Sequence, residues 1–201
     1  HGFISECTFG LPVYKWQPEV EIQHQINHWW EKNKADGQGS LLFAYSLGKA
    51  QRVLAGLDSS IGPIYAHSAV HSFLDHYKNA GVVLPDVKKV DKEKDFTGAM
   101  VIAPPAVEDS SWTRKFRQVK RGFASGWMAI RGPRRRKNLD RGFVLSDHAD
   151  WTGLIDVITG TGAETVKVTH GNGDALSRFL QEKGVNTSVL NESSFRGEEL
   201  D

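Results

Sequence analysis

The feature of this chain that most constrains its fold is a regular alternation of short apolar runs with longer amphipathic segments. Compact apolar runs such as Leu41–Tyr45 have the length of buried strands, and Pro18–Lys34 carries apolar residues at helical spacing. Strands that alternate with helices of about 10–15 residues are typical of layered α/β proteins with a largely parallel sheet. We therefore predict an α/β fold.

The individual elements follow from the same periodicity and from the positions of Gly and Pro. Strands are predicted at His1–Cys7, Leu41–Tyr45, Ile64–Ala66, Ala99–Ala103, Gly122–Ser125, Gly142–Leu145, Thr165–Thr169 and Thr187–Leu190. Helices are predicted at Pro18–Lys34, Leu47–Leu57, Ala69–Asn79, Trp151–Thr159 and Asp174–Lys183. The charged segment Val87–Asp95 is predicted to be a loop, and Arg131–Arg141 is a candidate domain boundary.

Length and composition place the chain among ordinary globular proteins. It has 201 residues, of which 39% are hydrophobic and 24% are charged. No apolar run reaches the roughly 18–20 residues of a membrane span, so we expect no membrane partner. The single cysteine, Cys7, excludes an internal disulfide and a cysteine-based zinc site, which favours a cytoplasmic location. The chain opens on His1 in the middle of a predicted strand and shows no signal peptide, and we expect that it is truncated before His1.

Positive charge is concentrated although the net charge is only +1. The stretch Arg114–Arg141 is dense in Lys and Arg, with a peak at Arg131–Lys137. Within that peak, Arg134, Arg135, Arg136 and Lys137 are candidate contacts to nucleic-acid phosphates. A solvated basic loop is the alternative interpretation, and the sequence leaves both open.

Three residues at predicted strand ends could carry chemistry. His148 follows the strand Gly142–Leu145, and His170 directly follows the strand Thr165–Thr169 one crossover later. Parallel neighbours would place both imidazoles at the same carboxyl edge of one sheet, where ligands bind in such folds. Glu6 ends the first strand and could orient a histidine as a general acid. Turn or capping histidines and a surface acid are the alternatives.

The other histidines have structural interpretations. His24 and His28 are four residues apart on a predicted helix, but the glutamate of a zinc-protease motif is absent between them. His67 and His71 have the same spacing with no third ligand nearby in sequence, so surface or capping roles are expected.

Four segments carry a resemblance to a known family. They are ECTFGLPVY (Glu6–Tyr14), FAYSLGKAQ (Phe43–Gln51), SDHADW (Ser146–Trp151) and VTHG (Val168–Gly171). In order and spacing they resemble landmarks of the β-CASP nucleases, enzymes with a metallo-β-lactamase fold. The Glu6, His148 and His170 segments resemble that family's motifs A, B and C. Details such as SGWM (Ser125–Met128) resemble its DNA-ligase-associated exonuclease branch.

The resemblance implies an architecture of a β-CASP insertion within a metallo-β-lactamase domain. Residues 1–18 and 141–201 would belong to the metallo-β-lactamase domain, and residues 19–140 would form the insertion. Glu6 and His148 would be a catalytic pair, with His148 donating a proton to the leaving oxygen, and His170 would bind metal. Two zinc ions, or manganese, would activate water. Lys49 is a candidate nucleic-acid contact, with a helix-surface lysine as the alternative.

The function implied is a metal-dependent DNA exonuclease acting in repair, with DNA as substrate and a DNA ligase and a helicase as candidate protein partners. An RNA-processing nuclease of the same superfamily and a non-catalytic nucleic-acid-binding module are the alternatives. The family's main metal motif, His-x-His-x-Asp-His, does not occur in this sequence. We therefore expect the chain by itself to be inactive or nearly so, because most metal ligands are missing.

Overall fold

A computed structural model describes residues 1–91, 95–130 and 139–190 of the chain. It is an α/β protein with parallel sheets, as the alternation of elements predicts. The chain forms two compact units. One comprises Trp16–Asp147, and the other comprises His1–Lys15 together with His148–Asp201. We call them the larger and the smaller unit.

The larger unit is built on six parallel strands. In chain order they are β2 (Gly39–Phe43), β3 (Ile64–Ala66), β4 (Val87–Lys89), β5 (Met100–Ala103), β6 (Val119–Ala124) and β7 (Arg141–Phe143). Their spatial order is β4, β3, β5, β2, β6, β7, so β2 lies inside the sheet. Among the described residues of this unit, the helices are α1 (Glu19–Ala35), α2 (Lys49–Ala55), α3 (Ser68–His71) and α4 (Leu74–Asn79), and short 3₁₀ segments occupy Pro105–Val107, Ser111–Lys115 and Gly126–Ala129.

Both faces of this sheet are covered, which explains the continuous apolar run in β2. Leu42 packs into one hydrophobic cluster together with Trp30 of α1, whereas Leu41 and Phe43 pack into a second cluster with Phe123 of β6. Successive strand residues point to opposite faces, so a strand buried on both sides must be apolar at every position.

Helix α1 forms where its sequence satisfies the rules for helix ends. Pro18 precedes the first turn, which contains Glu19 and Glu21, and the last turn contains Lys32 and Lys34. The buried positions Ile22, Ile26 and Trp30 recur every four residues and form its core-facing stripe. The indole Nε1 of Trp30 donates a hydrogen bond of 3.0 Å to the carbonyl of Gly98, which anchors the helix to the segment before β5.

The smaller unit contains a three-stranded parallel sheet. Strand β1 (Gly2–Cys7) pairs with β8 (Thr165–Gly171), which also pairs with β9 (Thr187–Val189). Helices α5 (Trp151–Gly160) and α6 (Gly173–Glu182) complete this unit. Its core consists of the buried residues Cys7, Leu154, Ile158, Val166, Val168, Leu176 and Leu180. The Asp150 carboxylate caps α5 by accepting a 2.8 Å hydrogen bond from the Gly153 amide.

Two predicted elements differ in the structure. The predicted helix Ala69–Asn79 is divided into α3 and α4, because the Phe73 amide bonds to the Val70 carbonyl three residues back and tightens the turn. The predicted loop Val87–Asp95 contains strand β4. Val87 is buried against the core, while Lys88 and Lys89 are exposed on this edge strand. Because edge strands often carry exposed lysines, the charged sequence resembles a loop.

The expectation that Gly142–Leu145 and Thr165–Thr169 are neighbouring strands is wrong. Strand β7 pairs with β6 in the larger unit, whereas β8 pairs with β1 and β9 in the smaller one. The units divide between residues 15 and 16 and between residues 147 and 148, whereas the family resemblance implied divisions at 18/19 and 140/141.

Within the described residues, no helix combines the length and the apolar character that a membrane crossing requires.

We predict that Trp30→Ala lowers the free energy of unfolding by about 3–5 kcal/mol, because it leaves a cavity and an unsatisfied Gly98 carbonyl. Glu31→Ala, an exposed change at the adjacent position, should stay within about 0.5 kcal/mol of the unsubstituted protein. Urea unfolding followed by circular dichroism measures both. Equal effects of the two substitutions would contradict the assignment of Trp30 to the core.

Candidate active site

The site is organised by the parallel pairing of β1 with β8. Glu6 lies opposite Thr169, and Cys7 lies opposite Gly171, so the register shifts by one residue between the two pairs. His170 is the extra residue of this β-bulge and adopts a left-handed backbone with φ of 53°. A bulge re-aims the side chain that it contains, and the His170 side chain is exposed at the end of β8.

Cys7 stabilises the bulge from inside the core. Its single S–H lies within hydrogen-bond distance of two carbonyls and is shared between them, with Sγ 3.2 Å from the Thr169 oxygen and 3.0 Å from the His170 oxygen. Burial, assisted by the negative charges of Glu6 and Asp174, raises the pKa of the Cys7 thiol to about 11. The thiol therefore stays protonated at neutral pH, which suits a structural donor and is unfavourable for a nucleophile or a metal ligand.

Gly171 is required by the same bulge. Its φ is 96°, and a Cβ atom at this position would lie 2.4 Å from the Cys7 carbonyl oxygen and 2.6 Å from Thr8 Cα. Both neighbours are backbone atoms, so a side chain would displace the strand itself. The glycine after His170 therefore allows β1 to approach β8 closely at the turn.

Glu6 and His148 form a hydrogen-bonded pair within the smaller unit. The distance between Glu6 Oε1 and His148 Nδ1 is 3.2 Å, and the side chains are 34% and 48% exposed. The predicted proximity of these two residues is confirmed. The second carboxylate oxygen, Oε2, accepts a 2.7 Å hydrogen bond from the Thr8 amide, which holds the carboxylate in place.

The surroundings of Glu6 favour its ionised form. Burial acts to raise the pKa of Glu6, but hydrogen bonds from the Thr8 hydroxyl and amide and from His148 outweigh it and lower the pKa below 4.5. A carboxylate bound at Nδ1 fixes the orientation of the imidazole ring. The ring of Phe9 packs edge-on against His148 at 5.8 Å between centroids and itself packs on Tyr14 at 4.8 Å.

The described residues do not assemble a zinc site. Among them, no group of three or more His, Cys, Asp and Glu side chains is arranged to hold a metal ion. Zinc sites in proteins use three or four protein ligands, and the Cys7 thiol is already hydrogen-bonded to backbone carbonyls. His170 is thus placed at a strand end that suits a ligand, but two zinc ions do not fit the donor groups of the described residues.

Lys49 is not on the helix surface, which corrects one expectation. Its side chain is 5% exposed, and its Nζ lies 3.1 Å from Asp147 Oδ2 and 4.9 Å from the centroid of the Tyr45 ring. A buried lysine in an ion pair cannot meet a phosphate without breaking that pair, so we exclude it from the nucleic-acid contacts. The other candidate contacts, Arg134, Arg135, Arg136 and Lys137, lie outside the described residues.

Thr8 and Phe9 contact Glu6 and His148 and were not singled out from the sequence, and neither was Arg52 of the larger unit. Arg52 pairs with Glu19 at 2.8 Å and with Asp147 at 3.3 Å, and it donates to the Ser146 carbonyl at 2.8 Å. The sequence signal for a shared partner was the position of Arg52 three residues after Lys49, because residues at this spacing lie on the same face of a helix. Asp147, which directly precedes His148 in sequence, is therefore neutralised by two cations.

The remaining histidines have structural surroundings. His67 Nδ1 accepts a 3.0 Å hydrogen bond from the Ala69 amide and caps α3, so its expected capping role is confirmed. His24 and His28 line a cavity beside Glu31 and Asp58. Among the described residues, these four side chains are not arranged to hold a metal ion.

Comparison with known proteins gives one relevant similarity. The chain is 29% identical over 191 residues to a protein named "Probable DNA ligase" from Opitutus terrae. The match covers 95% of this chain but 19% of that protein, so the chain spans about a fifth of its relative's length. No protein-family model matches the chain. The similarity therefore associates the chain with a protein that its name connects to DNA.

We predict that Gly171→Ala destabilises the protein by about 3 kcal/mol or more, through left-handed strain and collision with β1. Gly184→Ala is the matched control, because Gly184 has φ of 83° but no atom within 4 Å of the added Cβ. It should cost about 1–2 kcal/mol from strain alone. Urea unfolding compares them, and equal costs would contradict the close approach of β1 and β8.

The lowered pKa of Glu6 predicts a specific pH dependence of stability. A carboxyl whose pKa is lower in the folded state stabilises the fold above its unfolded pKa, and this stabilisation is lost as pH falls through the lowered value. Glu6→Gln should therefore be less stable than the unsubstituted protein at about pH 6, and the difference should shrink towards about pH 3. Denaturant titrations across this range measure it, and a constant difference would contradict the prediction.

Proposed function

We propose that this chain is the C-terminal, β-CASP-containing part of a metal-dependent nuclease that hydrolyses phosphodiester bonds in DNA. The observation that carries the proposal is the Glu6–His148 pair at 3.2 Å, on a unit whose β1–β8 pairing also holds His170 at a strained strand end. The three residues of motifs A, B and C thus belong to one compact unit.

The proposed chemistry of the pair is general acid catalysis. The Glu6 carboxylate accepts a hydrogen bond from His148 Nδ1, which orients the imidazole ring. The imidazolium then donates a proton to the oxygen that leaves when the phosphodiester bond breaks. A general acid of this kind contributes typically about 10²–10⁴-fold in rate. The lowered pKa keeps Glu6 ionised throughout the neutral range.

The metal requirement of this proposal comes from the family resemblance. It implies two zinc ions, or manganese, that activate water, with His170 among their ligands. The described residues do not supply such a donor set. We therefore assign only His170 to the metal centre and the other ligands to a preceding segment of a longer protein. The similarity to a relative about five times longer supports this assignment.

DNA is the proposed substrate, and a ligase is the proposed functional partner. The relative named as a probable DNA ligase supports both, and a helicase and a cytoplasmic setting belong to the same proposal. An RNA-processing nuclease is the alternative within the superfamily. Cleavage of a single-stranded DNA and of an RNA with the same sequence, compared on one preparation of the longer protein, distinguishes these substrates.

A second candidate is a non-catalytic nucleic-acid-binding module. Two observations favour it: the described residues form no metal cluster, and the relative is named for ligation rather than cleavage. Metal-dependent cleavage by the longer protein that is abolished by substitution of His148 would exclude this candidate, whereas binding without such cleavage would support it.

The decisive prediction concerns His148 and His170 in the longer protein that contains this chain. His148→Ala should retain metal and lose about 10²–10⁴-fold in turnover, because it removes a proton donor only. His170→Ala should lose both metal and activity, because it removes a ligand. His76→Ala, an exposed histidine of α4, is the control and should change neither. Elemental analysis and nuclease kinetics on the same preparations measure both quantities.

Each outcome of this comparison is informative. Full metal occupancy with a near-normal rate in His170→Ala would refute the assignment of His170. A normal rate in His148→Ala would refute the general acid and with it the role of Glu6.

A further inference from the structure

A basic cavity lies at the amino-terminal edge of the six-stranded sheet in the larger unit. It has a volume of about 710 Å³ and is lined by the segment before β5, residues 95–97, and by the segment that leads into β6, residues 114–119. This volume is within the roughly 300–1,000 Å³ typical of ligand pockets. None of these lining residues was among the functional candidates predicted from the sequence.

The charge of the cavity is unbalanced. Among the described lining residues, Arg114, Lys115 and Arg117 contribute three positive charges, whereas Asp95 contributes one negative charge. Asp95 Oδ1 accepts a 2.9 Å hydrogen bond from the Thr97 amide. Among the residues that the structure describes, none of the three cations forms an ion pair with a carboxylate. Uncompensated cations gathered around a concave surface favour an anionic ligand.

The three cations are held on an ordered frame. Ser110 caps the 3₁₀ segment Ser111–Lys115 by accepting a 3.3 Å hydrogen bond from the Trp112 amide. Phe116 is 6% exposed and anchors the following turn in the core. Lys115 Nζ lies 5.2 Å from the centroid of the Trp112 ring, which restrains its long side chain. Restraint of Lys115, and of the backbone that carries the two arginines, before binding reduces the entropy that a ligand must offset.

The cavity suits a phosphate backbone better than nucleobases. Phe96 and Phe116 are 4% and 6% exposed, so their faces are not available for stacking on a base. Arginine and lysine side chains are the usual phosphate ligands and carry no sequence information by themselves. We propose that Arg114, Lys115 and Arg117 form a sequence-independent binding site for the phosphodiester backbone of single-stranded DNA. The choice of DNA rests on the proposed function.

The test is the salt dependence of binding by the whole chain to a fluorescent oligothymidylate in the presence of EDTA. Three phosphate contacts on a single strand contribute about 2 to the log–log slope, at about 0.7 each. The triple variant Arg114→Gln, Lys115→Gln, Arg117→Gln should lower the slope by about 2 and weaken binding at low salt. The double variant Arg114→Gln, Arg117→Gln, which leaves Lys115 on Trp112, should lower it by about 1.4.

The matched control is the triple variant Lys78→Gln, Lys88→Gln, Lys89→Gln. It removes the same charge from exposed positions of the larger unit outside the cavity, and its slope should equal that of the unsubstituted chain. Thermal unfolding of each variant verifies that it is folded. His76→Ala, a change at an exposed histidine of α4 outside the cavity, should also keep the full slope. Binding is measured without turnover, so failure of the proposed nuclease chemistry would leave this result unchanged.

Three outcomes would overturn the proposal. The first is an unchanged slope in a folded double variant. The second is an equal loss of slope in the control variant. The third is displacement of the oligonucleotide by inorganic pyrophosphate at an equal concentration of phosphate groups, which would identify a small-anion site. An RNA oligonucleotide of equal length is tested in parallel. If the substitutions weaken the binding of RNA but not the binding of DNA, the choice of DNA is wrong.

Discussion

The parallel pairing of β1 with β8 is the interaction on which the candidate site depends. It joins residues as distant in sequence as Cys7 and His170, which are 163 positions apart. The pairing ends in a bulge that is anchored by the Cys7 thiol and permitted by Gly171, and this bulge sets the position of His170. The same strand end carries Glu6. The residue that stabilises the bulge, Cys7, and the residue that pairs with His148, Glu6, are therefore adjacent in sequence.

The smaller unit also separates two roles that sequence places side by side. Cys7 is buried and protonated, whereas its neighbour Glu6 is partly exposed and ionised. Alternation along the strand explains this, because successive side chains point to opposite faces. One face therefore supports the bulge and the other presents a carboxylate to His148. In the larger unit, Lys49 and Arg52 neutralise Asp147, whereas the cations around the basic cavity form no ion pair with a carboxylate that the structure describes.

The sequence predicted most elements of the fold but not their assembly. Strands β1, β2, β3 and β5 and helices α1, α5 and α6 lie close to their predicted ranges, because their apolar periodicity is strong. The paired position of Glu6 and His148 was also anticipated. Strand β4 was missed because exposed lysines on an edge strand look like a loop. Lys49 was expected on a surface, since the sequence does not reveal that Asp147 and Tyr45 enclose it.

The sequence by itself determined the α/β class, the helical and extended segments and the residue types that could perform acid–base chemistry. These follow from local periodicity and side-chain chemistry, which are properties of neighbouring residues. Only the tertiary structure decided that β7 joins the sheet of the larger unit while β8 pairs with β1, and that Arg114, Lys115 and Arg117 line one cavity. Strand partners and cavities arise from contacts between residues far apart in the chain, and hydrophobic patterning is compatible with several such pairings.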